Sequence, residues 1–354
     1  MYLFLADIHL GVAISEDIFM KSLDYVFNII EKSEEECHQI FVCGDLFDRK
    51  LNTQELGLAA RFMLKLLCNG KRKDNGNIGV TFIHGTYSHD QEQYMIFIPL
   101  IERITGVRVR YIDKACSFKL ENGKTVLALP QEYGDIDYIP FFRNKYDIII
   151  GHGPMSSIND EPCPSGSSEI CMPADVFGDI SNICVFGHYH EFINFGKNVF
   201  YAGSMLRWKF GEPSQKVILT CDDNWNVTKH INPYAVDFVK VDIFSPDQLR
   251  NEISDDITTP HRFIIHCKEN ELNEYHSIMN IYKKNKMITC KFISEKNDKY
   301  NENDRLPTDF VPVANIEPIP ALISYIKDKY NTDPTDIVKG YESKINNEEE
   351  KKNG

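Results

Sequence analysis

The sequence predicts an α/β fold in which sheet strands are flanked by helices, followed by a small trailing α/β unit. Three observations carry this prediction. Short apolar runs alternate with helical periodicity from the first residues onward. Motifs bearing aspartate and histidine stand where the apolar runs end. Beyond about residue 235 those motifs stop and a second, shorter strand-helix-strand pattern begins.

The elements follow in order. Residues 2–7 are an apolar run that reads as the first strand, and residues 18–30 repeat Leu23, Val26, Phe27 and Ile30 at helical spacing. Residues 39–43 form the second strand, residues 53–67 a helix with Thr53 as its expected N-cap, and residues 80–83 the third strand. A β-α-β-α-β order implies a parallel sheet with its motifs at the carboxyl edge. From 107 to 129, shorter strand signals flank Glu121-Asn122-Gly123, a hairpin turn. Residues 147–150, 183–186, 199–201 and 217–220 read as further buried strands. Residues 162–168 are a loop just after His152, a candidate gate or substrate loop. Residues 262–266, 271–282 and 288–292 make the trailing β-α-β unit. A polar linker at 297–307, a short amphipathic helix within 316–330 and a charged tail at 348–352, expected to be disordered, complete the chain. The expected partition is 1–235, 236–300 and 301–354, with no internal repeat.

With 354 residues, 42% hydrophobic and 26% charged, the chain has material for about two domains of ~150 residues. Its net charge of -13 excludes a generally basic nucleic-acid coat, while leaving DNA binding through one local patch and bound cations open. Ten cysteines with no CxxC pair and no regular spacing read as reduced, mostly buried thiols. The first residues lack a basic n-region, and no apolar stretch approaches the ~20 residues of a membrane span. A reducing, cytoplasmic setting is the expectation.

Five motifs carry the chemistry: Asp7-Ile8-His9, Gly44-Asp45-Leu46-Phe47-Asp48, Ser88-His89-Asp90, Gly151-His152-Gly153 and Gly187-His188-Tyr189-His190. Each follows a strand signal. Together they offer hard oxygen and imidazole nitrogen donors, the inventory of a two-metal phosphoesterase. Such a site needs a bridging carboxylate, and Asp45, set on a tight Gly44 turn at a strand end, is the best candidate. Asp7, His9 and one distal histidine would complete one metal set, and His152 with another distal histidine the second. His188 and His190 alternate along an extended segment, so they can address neighbouring cations.

The order D-x-H, G-D-x-x-D, a third motif ending in His-Asp, G-H and G-H-x-H resembles the calcineurin-like metallophosphoesterase superfamily, whose fold is a sandwich of sheets flanked by helices. Within it, Tyr201-Ala202-Gly203-Ser204-Met205-Leu206-Arg207 resembles the Y-x-G-S stretch of SbcD-type nuclease subunits of double-strand-break repair. The motif resemblance spans residues 1–211, and a phage-encoded or other divergent member is the closest description; its setting would then be the host cytoplasm. The resemblance implies a first metal on Asp7, His9, Asp45 and His190 and a second on Asp45, His152 and His188. It makes His89 the histidine that contacts the scissile phosphate, with Asp90 orienting its ring. The family's G-N-H-D/E motif is altered here to Gly85-Thr86-Tyr87-Ser88-His89-Asp90, so Ser88 stands in the slot of a metal-ligating asparagine, with Thr86 or a backbone carbonyl as substitutes.

The resemblance further implies two divalent ions, Mn(II) foremost, a DNA substrate, an SbcC-like coiled-coil ATPase partner docked on the 316–330 helix, and a homodimer, with no membrane association. Two other readings stay open: a metallophosphatase or small-molecule phosphodiesterase, and a weakly catalytic subunit that holds DNA or the ATPase. Arg207 and Lys209 with Trp208 between them are candidates for a DNA contact, against an equal reading as a loop around a buried Trp. Lys283, Lys284, Lys286 and Lys291 are a basic cluster in the trailing unit. Tyr87 and Tyr189, inside metal motifs, read either as bordering the cleft or, in preference, as packing against a neighbouring loop, and His84 reads as a surface strand-end histidine in preference to a donor behind the site.

Overall fold

The computed structural model describes residues 1–12, 16–69, 78–91, 93–106, 109–132, 137–156, 172–212, 215–254, 256–257, 259–285 and 287–294. The expected 162–168 loop, 297–307 linker, 316–330 helix and charged tail lie outside them.

Two six-stranded sheets face each other. The first is built on β1 (Tyr2–Leu5), β2 (Gln39–Cys43), β3 (Gly79–Ile83) and β4 (Val109–Ile112), all parallel neighbours in that order. It is extended past β1 by the antiparallel β13 (Val217–Cys221) and β14 (Val227–Ile231). The second sheet runs β11 (Ile193–Gly196), β12 (Val199–Tyr201), β10 (Ser181–Gly187), β7 (Tyr146–His152), β6 (Thr125–Leu129) and β5 (Cys116–Lys119). Its centre, β12-β10-β7-β6, is parallel, and β5 and β6 are the antiparallel hairpin turned at Gly123.

Side-chain alternation explains why the layers stack as they do. Along β1, Tyr2 and Phe4, beside Phe41 of β2, point to the second sheet, where they meet Ile148, Ile150 and Val185. Leu3 and Leu5 point the other way, into a core shared with α1 (Glu16–Lys32), α2 (Thr53–Asn69) and α4 (Tyr94–Thr105). On the far side of the second sheet, Ile149, Cys184 and Phe186 pack with α5 (Ile139–Phe142) and α6 (Ala174–Ile180). Helices therefore cover both outer faces and an apolar layer joins the sheets. The N-cap of α2 is Asn52, not the expected Thr53. Asn52 Oδ1 accepts the Glu55 N–H at 3.1 Å while the Glu55 carboxylate accepts the Asn52 N–H at 2.8 Å, a reciprocal box. Two short elements, α3 (Tyr87–Asp90) and the two-residue ladder of β8 (Met155–Ser156) with β9 (Met172–Pro173), lie after β3 and β7.

The trailing residues form a parallel three-stranded sheet of β15 (Val239–Ile243), β16 (His261–Cys267) and β17 (Ile288–Ser294). Its core of Ile243, Phe263, Ile265, Tyr275 and Ile278 is closed by α7 (Pro246–Glu252) and α8 (Leu272–Ile281). Ser245 caps α7 by accepting the Gln248 N–H at 3.2 Å, with Pro246 at the first helical position. The Arg262 guanidinium sits 4.3 Å over the Phe210 ring, which in turn packs on Phe238. Among the described residues no helix is long and apolar enough to cross a membrane.

Phe41 is fully buried between the sheets and stacked on Phe4. Phe41→Ala is expected to lower unfolding stability by about 3–5 kcal/mol, read as a shifted denaturant midpoint with an unchanged slope.

Candidate metal centre

The parallel strands end on one edge, and that edge gathers the polar motifs. Asp7 and His9 follow β1, Asp45 follows β2, Gly85 to Asp90 follow β3, His152 closes β7, and His188 and His190 follow β10. The first two loops are zipped together by the Asp7 N–H to the Gly44 carbonyl (3.2 Å), His9 to Asp45 (3.0 Å) and Leu10 to Leu46 (2.8 Å). Asp7, His9, Asp45 and His188 all have positive φ, at 49°, 48°, 47° and 110°. A non-glycine residue held there costs on the order of 1–3 kcal/mol, and such residues persist where the surroundings over-determine them. Two glycines make room. A Cβ on Gly44 would lie 2.1 Å from His152 Nδ1, and one on Gly85 would lie 2.2 Å from the Asp45 amide nitrogen.

The side chains converge in three overlapping groups: Asp7, His9 and His190; His9, Asp45 and His89; Asp7, Asp45 and His152. His9 Nε2 lies 3.1 Å from His190 Nε2 and 3.8 Å from Asp45 Oδ2, and His152 Nε2 lies 3.4 Å from Asp45 Oδ2. Asp7, His9, Asp45 and His152 are buried. Three of the imidazoles are anchored through the opposite nitrogen. His152 Nδ1 donates to the Cys43 carbonyl (2.9 Å), His190 Nδ1 to Glu212 Oε1 (2.8 Å) and His89 Nδ1 to the Asp48 carbonyl. Carbonyl and carboxylate oxygens accept, so Nδ1 keeps its hydrogen outward and Nε2 is turned to the site, the orientation that a metal ligand needs.

The electrostatics are those of anionic and imidazole groups buried together. Burial pushes the Asp7 carboxyl up. Burial also opposes the Asp45 anion, but neighbouring His152 and His9 win and hold its carboxyl far below the usual range. Burial lowers His152, and Asp45 more than reverses this, to about 10. Burial and the neighbouring His152 push His188 down to about 4. Without a cation, the carboxylates are thus balanced by a proton on imidazole. Divalent cations fit this donor set because they replace that proton and satisfy carboxylates and nitrogens at once.

The structure brings together Asp7, His9, Asp45, His89, His152 and His190. His188 stands outside those groups, its ring perpendicular to His152 with centroids 5.5 Å apart and its N–H donating to the Asp7 carboxylate at 2.9 Å. Two assignments are corrected. Ser88 is exposed on α3, whereas Thr86 faces Asp45 and His152: the two extra residues between Gly85 and the His-Asp pair carry position 88 out of the site. Asp90 does not orient His89. It is buried, and its carboxylate accepts the N–H groups of Phe47 (3.1 Å) and Gly85 (2.7 Å), so the Asp48 carbonyl holds the His89 ring instead.

Trp208 is likewise no stacking surface. It is buried, donates Nε1–H to the Asp7 carbonyl at 2.8 Å and lies edge-on to His9, while Arg207 is buried against Asp237 at 2.9 Å. His84 is buried beside the Tyr111 hydroxyl (2.7 Å), and Tyr87 and Tyr189 are exposed. Sequence reasoning missed Glu212, Lys216 and Gln131 as members of the site's surroundings, and gave Asp48 of the second motif no role, although its carbonyl holds His89. Glu212 holds His190, and buried Lys216 ties Glu212 (2.7 Å) to the His190 carbonyl (2.8 Å). Both follow the Y-x-G-S segment without a motif of their own, so no spacing rule exposes them.

A family model described as calcineurin-like phosphoesterase matches residues 2–192, a span that contains every motif from Asp7 to His190. A search of curated proteins finds no match to the chain.

Glu212→Gln is expected to weaken Mn(II) binding by about 10–100-fold in titration calorimetry, because His190 loses the carboxylate that aims it. Burial raises the Glu212 carboxyl, but His190 and Lys216 overcome it and hold it at about 2 against an ordinary 4.5. A depressed carboxyl stabilises the fold above its unfolded value, and that contribution is lost as pH falls through the folded one. The metal-free wild type should therefore lose stability over about pH 4.5 to 2, and Glu212→Gln should lose less across that window in denaturant titrations.

Proposed function

The chain belongs to the calcineurin-like phosphoesterase family and is a metal-dependent hydrolase, and from that premise we propose that it is an Mn(II)-dependent, SbcD-like DNA nuclease working with two cations. The observation that carries the nuclease reading is the segment after the last histidine motif. Tyr201-Ala202-Gly203-Ser204, the Y-x-G-S stretch, is welded to the metal loops: the Tyr201 hydroxyl donates to the Gly153 carbonyl at 3.1 Å, and Ser204 Oγ receives Lys216 at 3.0 Å beneath His190. The trailing α/β sheet reaches the same segment through Arg262 on Phe210. A small unit beside the cleft suits a duplex or single strand better than a small ester.

In this reading Asp7, His9, Asp45 and His190 would hold the first cation, and Asp45, His152 and His188 the second. Bound cations supply a water of lowered pKa and charge on the phosphoryl oxygens. Asp45 bridges the two sets. His89, with Nδ1 tied to the Asp48 carbonyl, keeps Nε2 toward the scissile phosphate, where a proton on it stabilises the leaving oxygen. Tyr87 and Tyr189, 60% and 46% exposed, flank the ligand histidines and offer flat faces to nucleobases. The proposal extends to a cytoplasmic setting, a homodimer and an SbcC-like ATPase held by the segment 316–330, and to a partition at about residues 235 and 300.

The test is Mn(II)-dependent degradation of end-labelled duplex and single-stranded DNA, with a generic phosphodiester in parallel. Asp45→Asn is expected to abolish cleavage. His89→Asn is expected to keep Mn(II) binding while turnover falls by about 10²–10⁴-fold. Hydrolysis of the generic diester alone would move the assignment to a small-substrate phosphodiesterase, and activity on neither, with or without an ATPase partner, would make the chain a binding subunit.

A further inference from the structure

The second cation set lacks the asparagine that its position 88 slot calls for, and the serine found there faces solvent. We propose that the Thr86 hydroxyl is the missing ligand and that Gln131 is the positioning residue that aims it. The inference rests on the two-cation reading of the site and is independent of whether the substrate is DNA.

Geometry is the first argument. Thr86 Oγ1 lies 3.2 Å from Asp45 Oδ2 and 3.5 Å from His152 Nε2, and those two atoms lie 3.4 Å from each other. Donors bound at ~2.0–2.2 Å to one divalent cation stand about 2.8–3.6 Å apart when adjacent. The three atoms thus form a triangle with the edges of a single coordination face, made by one carboxylate, one imidazole and one hydroxyl.

The local backbone supplies a second argument. Thr86 is the N-cap residue of α3, a position where a threonine hydroxyl ordinarily accepts a helix N–H, yet its side chain makes no capping bond. The hydroxyl is turned into the site instead. The Thr86 N–H donates to Asp45 Oδ1 at 2.6 Å, and Gly85 permits this approach because a Cβ there would strike Asp45.

The hydroxyl proton is the third. A threonine hydroxyl has one hydrogen and two lone pairs. Two acceptors face it, Asp45 Oδ2 and Gln131 Oε1, the latter at 3.1 Å. A cation held by Asp45 Oδ2 would take up the acceptor site that faces the hydroxyl, so the hydrogen would go to Gln131, whose amide oxygen can only accept. The lone pairs of Oγ1 are then directed at the face shared with Asp45 and His152. Gln131 is buried just past β6, with its N–H on the His84 carbonyl at 3.3 Å, so its amide is well placed for this task. A neutral hydroxyl is a hard but modest donor, which makes this the weaker site and favours Mn(II) or Mg(II) over softer ions.

The experiment counts Mn(II) bound per full-length chain by electron paramagnetic resonance titration and calorimetry, with no substrate present. Wild type is expected to bind two ions in two steps. Thr86→Ala keeps the backbone N–H to Asp45 and should weaken the second step by about tenfold or more while leaving the first unchanged. Gln131→Leu should weaken the second step alone, Gln131→Glu should restore it, and Ser88→Ala should change neither. Unfolding midpoints of the metal-free variants guard against a mere folding defect. Two ions bound with wild-type affinity by Thr86→Ala, or a second step lost in Ser88→Ala, would overturn this inference and leave the metal reading standing. Fewer than two ions on the wild type would overturn both.

Discussion

The site depends on one carboxylate, Asp45, held where a carboxylate is costly to hold. Its side chain is buried and its backbone sits at φ 47°. It touches the Thr86 amide and hydroxyl on one side and His9 and His152 on the other. Each neighbour exists in its present form because of that placement. Gly44 has no side chain because His152 fills the space, and Gly85 has none because Asp45 does. His152 gives its other nitrogen to the Cys43 carbonyl, the last residue of the strand that delivers Asp45. Loss of Asp45 itself would remove the one carboxylate that faces both His9 and His152.

The surrounding supports divide the work. Asp90, pushed up to about 7 by burial and by Asp45, accepts two backbone N–H groups and so pins the second and third loops to each other. On the opposite side Glu212 aims His190, Lys216 secures Glu212 and the His190 carbonyl, and Trp208 bonds the Asp7 carbonyl. The segment after residue 200 is therefore part of the metal centre's rigidity although it supplies no expected ligand. Pairing with Lys216 also lets Glu212 orient a ring without adding unbalanced charge to the cleft.

What the sequence made legible was whatever repeats with a period or ends a strand. The strands at 39–43 and 80–83 and the parallel order followed from apolar runs separated by helical spacing, because a sheet buried on both faces requires such runs. Asp7, His9, Asp45, His152 and His190 stood out because each closes a strand. Residues acting through a single long-range hydrogen bond did not. Gln131 meets Thr86 across 45 positions and Glu212 meets His190 across 22, with nothing local to mark them. Ser88 misled because motif alignment matched letters, while two added residues extend the turn and move position 88 outward. β15 and α7 were missed since Val239–Ile243 alternates burial with charge, and Ser245-Pro246 is a short capping signal.

An acidic protein can still receive a polyanion at such a site, and the charge balance shows how. The chain carries -13 overall, but what a phosphodiester meets is set locally. Asp7 and Asp45 are the fully buried carboxylates among the ligand set, Asp90 is held largely by backbone donors, and Glu212 is balanced by Lys216. With two divalent cations, as proposed, Asp7, Asp45 and the Asp48 carboxylate 3.6 Å from His9 would offset most but not all of the added charge. The surplus would be positive, concentrated at the edge where the strands end, and framed by exposed Tyr87 and Tyr189 instead of a basic coat. Cation occupancy would then govern phosphate binding as well as bond cleavage, so that a second cation held on the modest hydroxyl of Thr86 would also set when the cleft becomes attractive to its substrate.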